Sequence, residues 1–332
     1  MAGNPEKKYN NAAMAVVTGI RDLFRPRQDC GILKESDRLD GKTVFIDGAS
    51  SGLGFATAID VARRGARVIM ACRSGIPVKG EIVQRRSGNP DVSMLPVDLS
   101  DIASIRDLVS AIARLERKPD IYILNAGIVP KESRKTPQGL EEMFMVNYFA
   151  KYLFVRLLME HRLIPDSGAG DTAARVIFVT SESHRNPEAF DWDGFGNYRE
   201  HGIRQSMERY GYYKLLLVTF ARELSRRLNP GRTVRISVFA LCPGPINSGI
   251  AREAPKMVQP LLKLIFFLFF RSPAKAAEPV VYLTASADLD GKPFGYLYLM
   301  SRREIDPKAE DPENGKRLWE LSERLLCDLL QK

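Results

Sequence analysis

The stretch Thr43-Val-Phe-Ile-Asp-Gly-Ala-Ser-Ser-Gly-Leu-Gly54 constrains the fold of this chain more than any other. A short β-prone run, Thr43 to Ile46, is followed by Gly48, Gly52 and Gly54 at spacings of four and two. Then Phe55 to Arg64 has the pattern of an amphipathic helix. A buried strand, a glycine-rich turn and a helix start together make a nucleotide-binding unit. The glycines let the backbone turn tightly and approach a pyrophosphate, whose charge sits at the helix N-terminus.

The rest of the chain continues that alternation. Strands are expected at Thr43–Asp47, Arg67–Cys72, Val92–Val97, Ile121–Leu124, Arg175–Thr180, Arg235–Ala240 and Tyr296–Met300. Helices are expected at Gly54–Arg64, Ile102–Glu116, Leu140–Leu163 and Tyr212–Leu228, with a terminal amphipathic helix at about 313–330. Near-continuous apolar strands suit a sheet covered on both faces, and alternating β and α implies parallel strands with right-handed crossovers. The expectation is an α/β fold: one Rossmann-type doubly wound sheet, order 3-2-1-4-5-6-7, with helices on both faces. Residues 1–38 read as an N-terminal extension, with a short helix from Ala12 to Leu23, and residues 39–332 as the dinucleotide-binding catalytic domain. Residues 185–209 read as a polar insertion.

Composition narrows the function classes. The 332 residues carry a net charge of +9, without a dense basic block or a nucleic-acid-binding module, so no nucleic-acid partner is expected. Cys30, Cys72, Cys242 and Cys327 are scattered, which suits free thiols in a reducing compartment, and neither they nor the three histidines have metal-ligand spacing. No run reaches the roughly twenty apolar residues of a spanning helix, and no secretory leader is legible, so a cytoplasmic protein is expected.

Several strand ends hold candidate binding residues. Arg73 follows the second strand, where a basic residue suits a 2′-phosphate and an acidic one a 2′-hydroxyl; it points to NADP (NADPH) rather than NAD. Asp98, after the third strand, is suited either to the adenine amino group or to capping the next helix. Asn125-Ala126-Gly127 would line the cofactor with a close backbone.

The chemistry is concentrated in Ser181, Tyr210 and Lys214. Tyr210 and Lys214 are four apart and share one face of a helix; no other tyrosine of the chain has a lysine at that spacing. A tyrosine of pKa about 10 is a poor acid or base at neutral pH, and a neighbouring ammonium brings it down. Ser181 ends a strand, at the edge where α/β sheets bind ligands, and its hydroxyl suits an oxygen on which charge develops. Asn147 would hold a water linking Lys214 to solvent.

This order of glycine turn, Asn-Ala-Gly, Asn147, Ser181 and Tyr210-x-x-x-Lys214 resembles the short-chain dehydrogenase/reductase superfamily over about residues 39–300. The Ala71-Cys-Arg73 strand end, the Gly139-Leu-Glu-Glu-Met-Phe-Met-Val-Asn147 entry and the long gap from Ser181 to Tyr210 resemble its retinol-dehydrogenase-like branch. The resemblance implies that Gly48, Ser50, Ser51, Gly52, Leu53 and Gly54 cradle the cofactor, that Asp98 and Leu99 flank adenine, and that Asn125, Ala126 and Gly127 sit beside the adenosine ribose. It makes Tyr210 the acid/base, Lys214 the holder of the nicotinamide ribose, Ser181 the positioner of the carbonyl and Asn147 the end of a proton relay. Pro243, Gly244, Ile246 and Ser248 would close over the nicotinamide.

Three positions depart from that pattern. Asp47 stands where the superfamily has threonine, Leu124 where it has asparagine, and Tyr148 and Phe149 are bulky for the branch. A carboxylate at 47 weakens pyrophosphate binding unless a hydrogen bond turns it away. The expected reaction is NADP(H)-dependent interconversion of an alcohol and a carbonyl on a lipophilic molecule of retinoid, steroid or long-chain type. The alternatives are a silent nucleotide-binding scaffold or a double-bond reductase resembling the protochlorophyllide reductases. An apolar lid at about 245–275, with basic neighbours Arg252, Lys256, Lys263, Arg271 and Lys275, suits such a substrate or peripheral membrane contact; the alternative is that Leu264 to Phe270 forms a core or dimer helix. A homodimer or homotetramer is implied by the resemblance.

Overall fold

The computed structural model describes residues 30–165, 173–231, 233–244 and 272–331. The N-terminal residues 1–29 and the segment 245–271, which holds most of the expected lid, lie outside the described residues.

Eight strands form one sheet in the order β3-β2-β1-β4-β5-β6-β7-β8. These are β1 (Thr43–Asp47), β2 (Arg67–Cys72), β3 (Val92–Pro96), β4 (Ile121–Leu124), β5 (Ala174–Val179), β6 (Ile236–Cys242), β7 (Phe294–Tyr298) and β8 (Ser301–Arg302). The first seven are parallel, in the expected order. Sequence reading missed β8, a two-residue antiparallel return against β7 that is too short to leave a periodic signal.

Side chains alternate between the faces, as the period of a strand requires. Val44 and Ile46 enter the apolar layer under α1 (Gly52–Arg63), while Phe45 enters the opposite layer. That second layer is aromatic-rich: Phe45, Tyr122 and Phe154 pack together, and Phe220 meets Tyr152, Phe178 and Trp319. It is covered by α3 (Ile102–Arg114), α5 (Ala150–Glu160), α6 (Ile203–Leu228) and α9 (Pro312–Leu330).

The helices bring four corrections. One is α2 (Val78–Ser87), a polar helix burying only Gly80 and Val83, which leaves hydrophobic periodicity little to register. Another is α7 (Pro273–Ala285), which overlaps the end of the expected lid and contains Pro279, a residue that reads as a helix breaker. The expected helix Leu140–Leu163 is instead α4 (Glu142–Phe144), a π-helical turn (Met145–Phe149) and α5. Finally, α6 begins at Ile203, inside the expected insertion, because the Gly202 amide donates to Gln205 Oε1 at 3.3 Å and the Ser206 hydroxyl donates to the Pro130 carbonyl at 2.8 Å. A short α8 (Pro307–Glu310) precedes α9.

Candidate active site

The strand order reverses direction between β1 and β4, and the crevice beyond their C-terminal ends is where open α/β sheets bind ligands. Every described candidate residue lies along that edge; Ile246 and Ser248 lie outside the described residues.

At the end of β1 the chain turns through Gly48 and Gly52 with φ of +64° and +57°, conformations that glycine adopts at no steric cost. Gly54 has a different need: a Cβ there would stand 2.6 Å from the Gly48 carbonyl and 2.5 Å from Asn125 Nδ2. The N-cap residue of α1, Ser51, makes no side-chain cap, the first turn holds no acid, and Ser51 and Gly52 are exposed. The leading N–H groups of this helix therefore face outward without a capping partner, and the macrodipole adds partial positive charge. These residues fit a dinucleotide pyrophosphate. Leu53 has only its backbone to offer such a group, since its side chain is buried in the core beneath α1.

Arg73 is exposed at the end of β2, and Lys79 lies across Gly75 from Ser50 with its ammonium 5.4 Å from the centre of the Phe55 ring. Only the folding back of α2 brings it there. Asp98 does not cap the following helix; Asp101 does, accepting from the Ala103 amide. Instead, Asp98 Oδ1 accepts from the Ser100 amide at 2.9 Å and its hydroxyl at 2.6 Å. Burial opposes the charge, but the Ser100 hydroxyl and amide and the Arg73 cation hold the carboxyl below its ordinary range. The Leu99 side chain packs against the aromatic-rich core layer.

Asp47 is turned away from the helix start. Its Oδ1 accepts from the Asn125 and Ala126 amides at 2.6 and 2.5 Å, and Asn125 Nδ2 donates back to the Asp47 carbonyl at 3.0 Å. The carboxylate is thus spent on the turn after β4, as the hydrogen-bonded alternative required.

Ser181, Tyr210, Lys214 and Asn147 come from three elements. Ser181 follows β5 and caps a 3-10 turn (Glu182–Arg185), its hydroxyl accepting from the Ser183 amide at 3.2 Å. Behind it, buried Glu182 accepts from the Tyr296 hydroxyl at 2.6 Å and from Arg303 at 3.2 Å, so β7 and the segment after β8 brace the serine turn. On α6, Lys214 Nζ lies 5.4 Å from the centre of the Tyr210 ring and donates to the Val179 carbonyl at 3.1 Å. Asn147 sits in the π-helical turn with its amide engaged on Ile128: Nδ2 donates to the carbonyl at 2.8 Å and Oδ1 accepts from the amide at 3.0 Å. Cys242 ends β6, where buried Pro243 and then Gly244 close the described edge.

The electrostatics follow from burial. Lys214 is pushed down to about 7, first by desolvation and then by the Lys151 ammonium, against which Asp47 works. Tyr210 is raised above its ordinary value by desolvation and by Cys242, while its approach to the Ser181 hydroxyl draws it back. At neutral pH the phenol keeps its proton and stands ready to donate it.

The sequence comparisons agree with this geometry. A family model described as short chain dehydrogenase matches residues 42–191. Retinol dehydrogenase 14 of Mus musculus is 32% identical over 302 residues, 86% of this chain and 86% of that protein. The chain belongs to the short-chain dehydrogenase/reductase family, in its retinol-dehydrogenase-like branch. Retinol dehydrogenase 13 of Homo sapiens is 31% identical over 330 residues, 95% of this chain and 93% of that protein. Among solved structures, an uncharacterised protein from Mycobacterium paratuberculosis superposes with a TM-score of 0.65 at 28% identity, over 89% of this chain and 97% of that one. Members of this family are oxidoreductases that work with nicotinamide dinucleotides on alcohol and carbonyl groups.

Proposed function

We propose that the protein is an NADP(H)-dependent oxidoreductase that interconverts an alcohol and a carbonyl on a lipophilic small molecule, with Tyr210 as its acid/base. The observation that carries this reading is the convergence of Ser181, Tyr210 and Lys214 at the sheet edge beside an uncapped helix start. When bound, the nicotinamide supplies or accepts the hydride. Tyr210 delivers its proton to the carbonyl oxygen, and the neutral phenol suits the reductive direction. Ser181 holds that oxygen as charge develops on it. Lys214 holds the nicotinamide ribose and, when protonated, eases loss of the phenol proton. Asn147, fixed by Ile128, keeps the water that connects Lys214 to solvent.

Arg73 would take the 2′-phosphate. The lipophilic substrate is supported by α6 itself: Ile203 and Met207 are 64% and 37% exposed and lie two and one helical turns ahead of Tyr210 on the same face. Val129, 45% exposed, follows the turn that carries Gly127. Among the described residues no helix is long and apolar enough to cross a membrane. The reading includes a cytoplasmic homodimer or homotetramer that touches a membrane surface peripherally, which the resemblance and the basic neighbours of segment 245–271 support.

Replacing Tyr210 by Phe should lower turnover of any accepted carbonyl by about a thousandfold or more with the melting temperature unchanged. Substantial turnover in that variant refutes the acid/base role. Fluorescence titration should show NADPH bound about tenfold or more tighter than NADH, a preference that Arg73→Gln removes by weakening NADPH alone. Tighter binding of NADH would overturn the Arg73 reading while leaving the oxidoreductase.

A further inference from the structure

Beneath the site lies a charge pair that neither the glycine turn nor the Tyr210–Lys214 chemistry requires. Asp47 ends β1, and Lys151 follows Asn147 by one helical turn. Lys151 Nζ and Asp47 Oδ2 are 3.1 Å apart, with only 1% and 3% of the two side chains exposed. Withdrawing two charges so completely from water carries a desolvation penalty that an uncharged pair of similar volume would not incur. Its position suggests what the pair does. Asp47 Oδ1 accepts from the amides of Asn125 and Ala126, so the carboxylate staples β1 to the turn after β4. The next residue of that turn is Gly127, where an added Cβ would stand 2.7 Å from Asn147 Oδ1 and 3.5 Å from Lys214 Nζ. A continuous set of contacts thus joins Lys151, Asp47, the Asn125–Gly127 turn and the two side chains that converge on it.

We propose that Asp47 and Lys151 form a positioning pair for Lys214: Asp47 fixes the turn on which Lys214 and Asn147 converge, and Lys151 holds Asp47 in place and opposes the positive charge of Lys214. The titratable groups around Lys214 are Asp47 of β1, Lys151 of α5, the Cys242 thiol of β6 and Tyr210 of its own helix, whose ring centre lies 5.4 Å from the amine. Burial pushes the Cys242 thiol up to about 12, so it stays neutral, and burial also lowers Lys151 while Asp47 works the other way. The signs of the single substitutions are therefore opposed. Lys151→Met removes a repelling cation and leaves an unpaired carboxylate, both of which favour the ammonium form of Lys214. Asp47→Asn keeps an oxygen able to accept from Asn125 and Ala126 but leaves two ammonium groups facing each other, which disfavours that form. A merely structural pair gives no such opposition.

The test uses the full-length protein with lysines carbon-13-labelled at Cε, without cofactor or substrate. The Lys214 resonance is identified by its loss in Lys214→Arg and followed against pH. Lys151→Met should raise its midpoint by about one unit, Asp47→Asn should lower it by about one unit, and the double variant should return to within about half a unit of the parent. Midpoints that stay in place, or that move together in one direction, overturn the proposal. If Asp47→Asn does not fold, Lys151→Arg against Lys151→Met decides alone, since arginine should hold the midpoint and methionine should raise it. The kinetic arm rests on the oxidoreductase reading: the basic limb of the turnover profile should follow the Lys214 midpoint. A resonance that moves as expected under a fixed kinetic limb would sustain the charge pair and refute the role given to Lys214 in turnover.

Discussion

Two helix starts at the same edge of the sheet are built in opposite ways. At α3, the Asp101 side chain accepts from the Ala103 amide at 3.1 Å and from Gln138 Nε2 at 2.9 Å, so the helix end is closed by its own chain. At α1, the N-cap Ser51 contributes no side-chain hydrogen bond, and Ser51 and Gly52 are exposed. Each start leaves up to four N–H groups for something outside the helix to satisfy. A cap such as the one at α3 contributes about 1 kcal/mol, so its omission at α1 gives up stability where a ligand anion can supply the missing acceptors. Polar satisfaction is local and complete where the helix only supports the sheet, and deferred where the helix is to bind.

The largest test of this contrast is Gly54→Val. A side chain pressed against the Gly48 carbonyl and Asn125 should lower NADPH affinity by about a hundredfold or more and destabilise the protein by about 1–3 kcal/mol, read by fluorescence titration and urea unfolding. NADPH binding preserved within threefold would mean that the pyrophosphate does not lie on this turn. Ser51→Asp sharpens the contrast by giving α1 the cap that α3 has. Without cofactor it should gain roughly 0.5–1 kcal/mol, while NADPH binding weakens about tenfold because a carboxylate occupies the phosphate position. A variant that gains stability and binds NADPH as well as the parent would break the comparison. The smallest effect is expected from Asp101→Ala: a loss of about 1 kcal/mol in urea unfolding with NADPH affinity unchanged.

The legible and illegible parts of the fold divide along similar lines. Bounds of β1, β2 and β4 follow from sequence because each is a short apolar run between turn residues, buried on both faces. The start of α6 does not, because Gln205, Ser206, Glu208 and Arg209 read as loop until the contact between Ser206 and Pro130 is formed. The π-helical turn around Asn147 is also invisible to a 3.6-residue period, since it adds a residue to an otherwise regular helix. Lys151 shows why partner identity is the hardest to read. Its spacing from Asn147 is plain in the sequence, but its partner Asp47 belongs to a distant strand.

The sequence by itself determined the sheet order, the glycine turn, and the residue types at the edge of the site, because these depend on local periodicity and on chemistry carried by single side chains. Only the tertiary structure decided that Asp47 turns from the helix start to the Asn125–Ala126 amides, that Lys79 lies across Gly75 from Ser50, and that Lys151 pairs with Asp47. Those outcomes depend on distances between segments far apart in the chain, and burial makes them matter, since charges withdrawn from water interact far more strongly than charges at the surface.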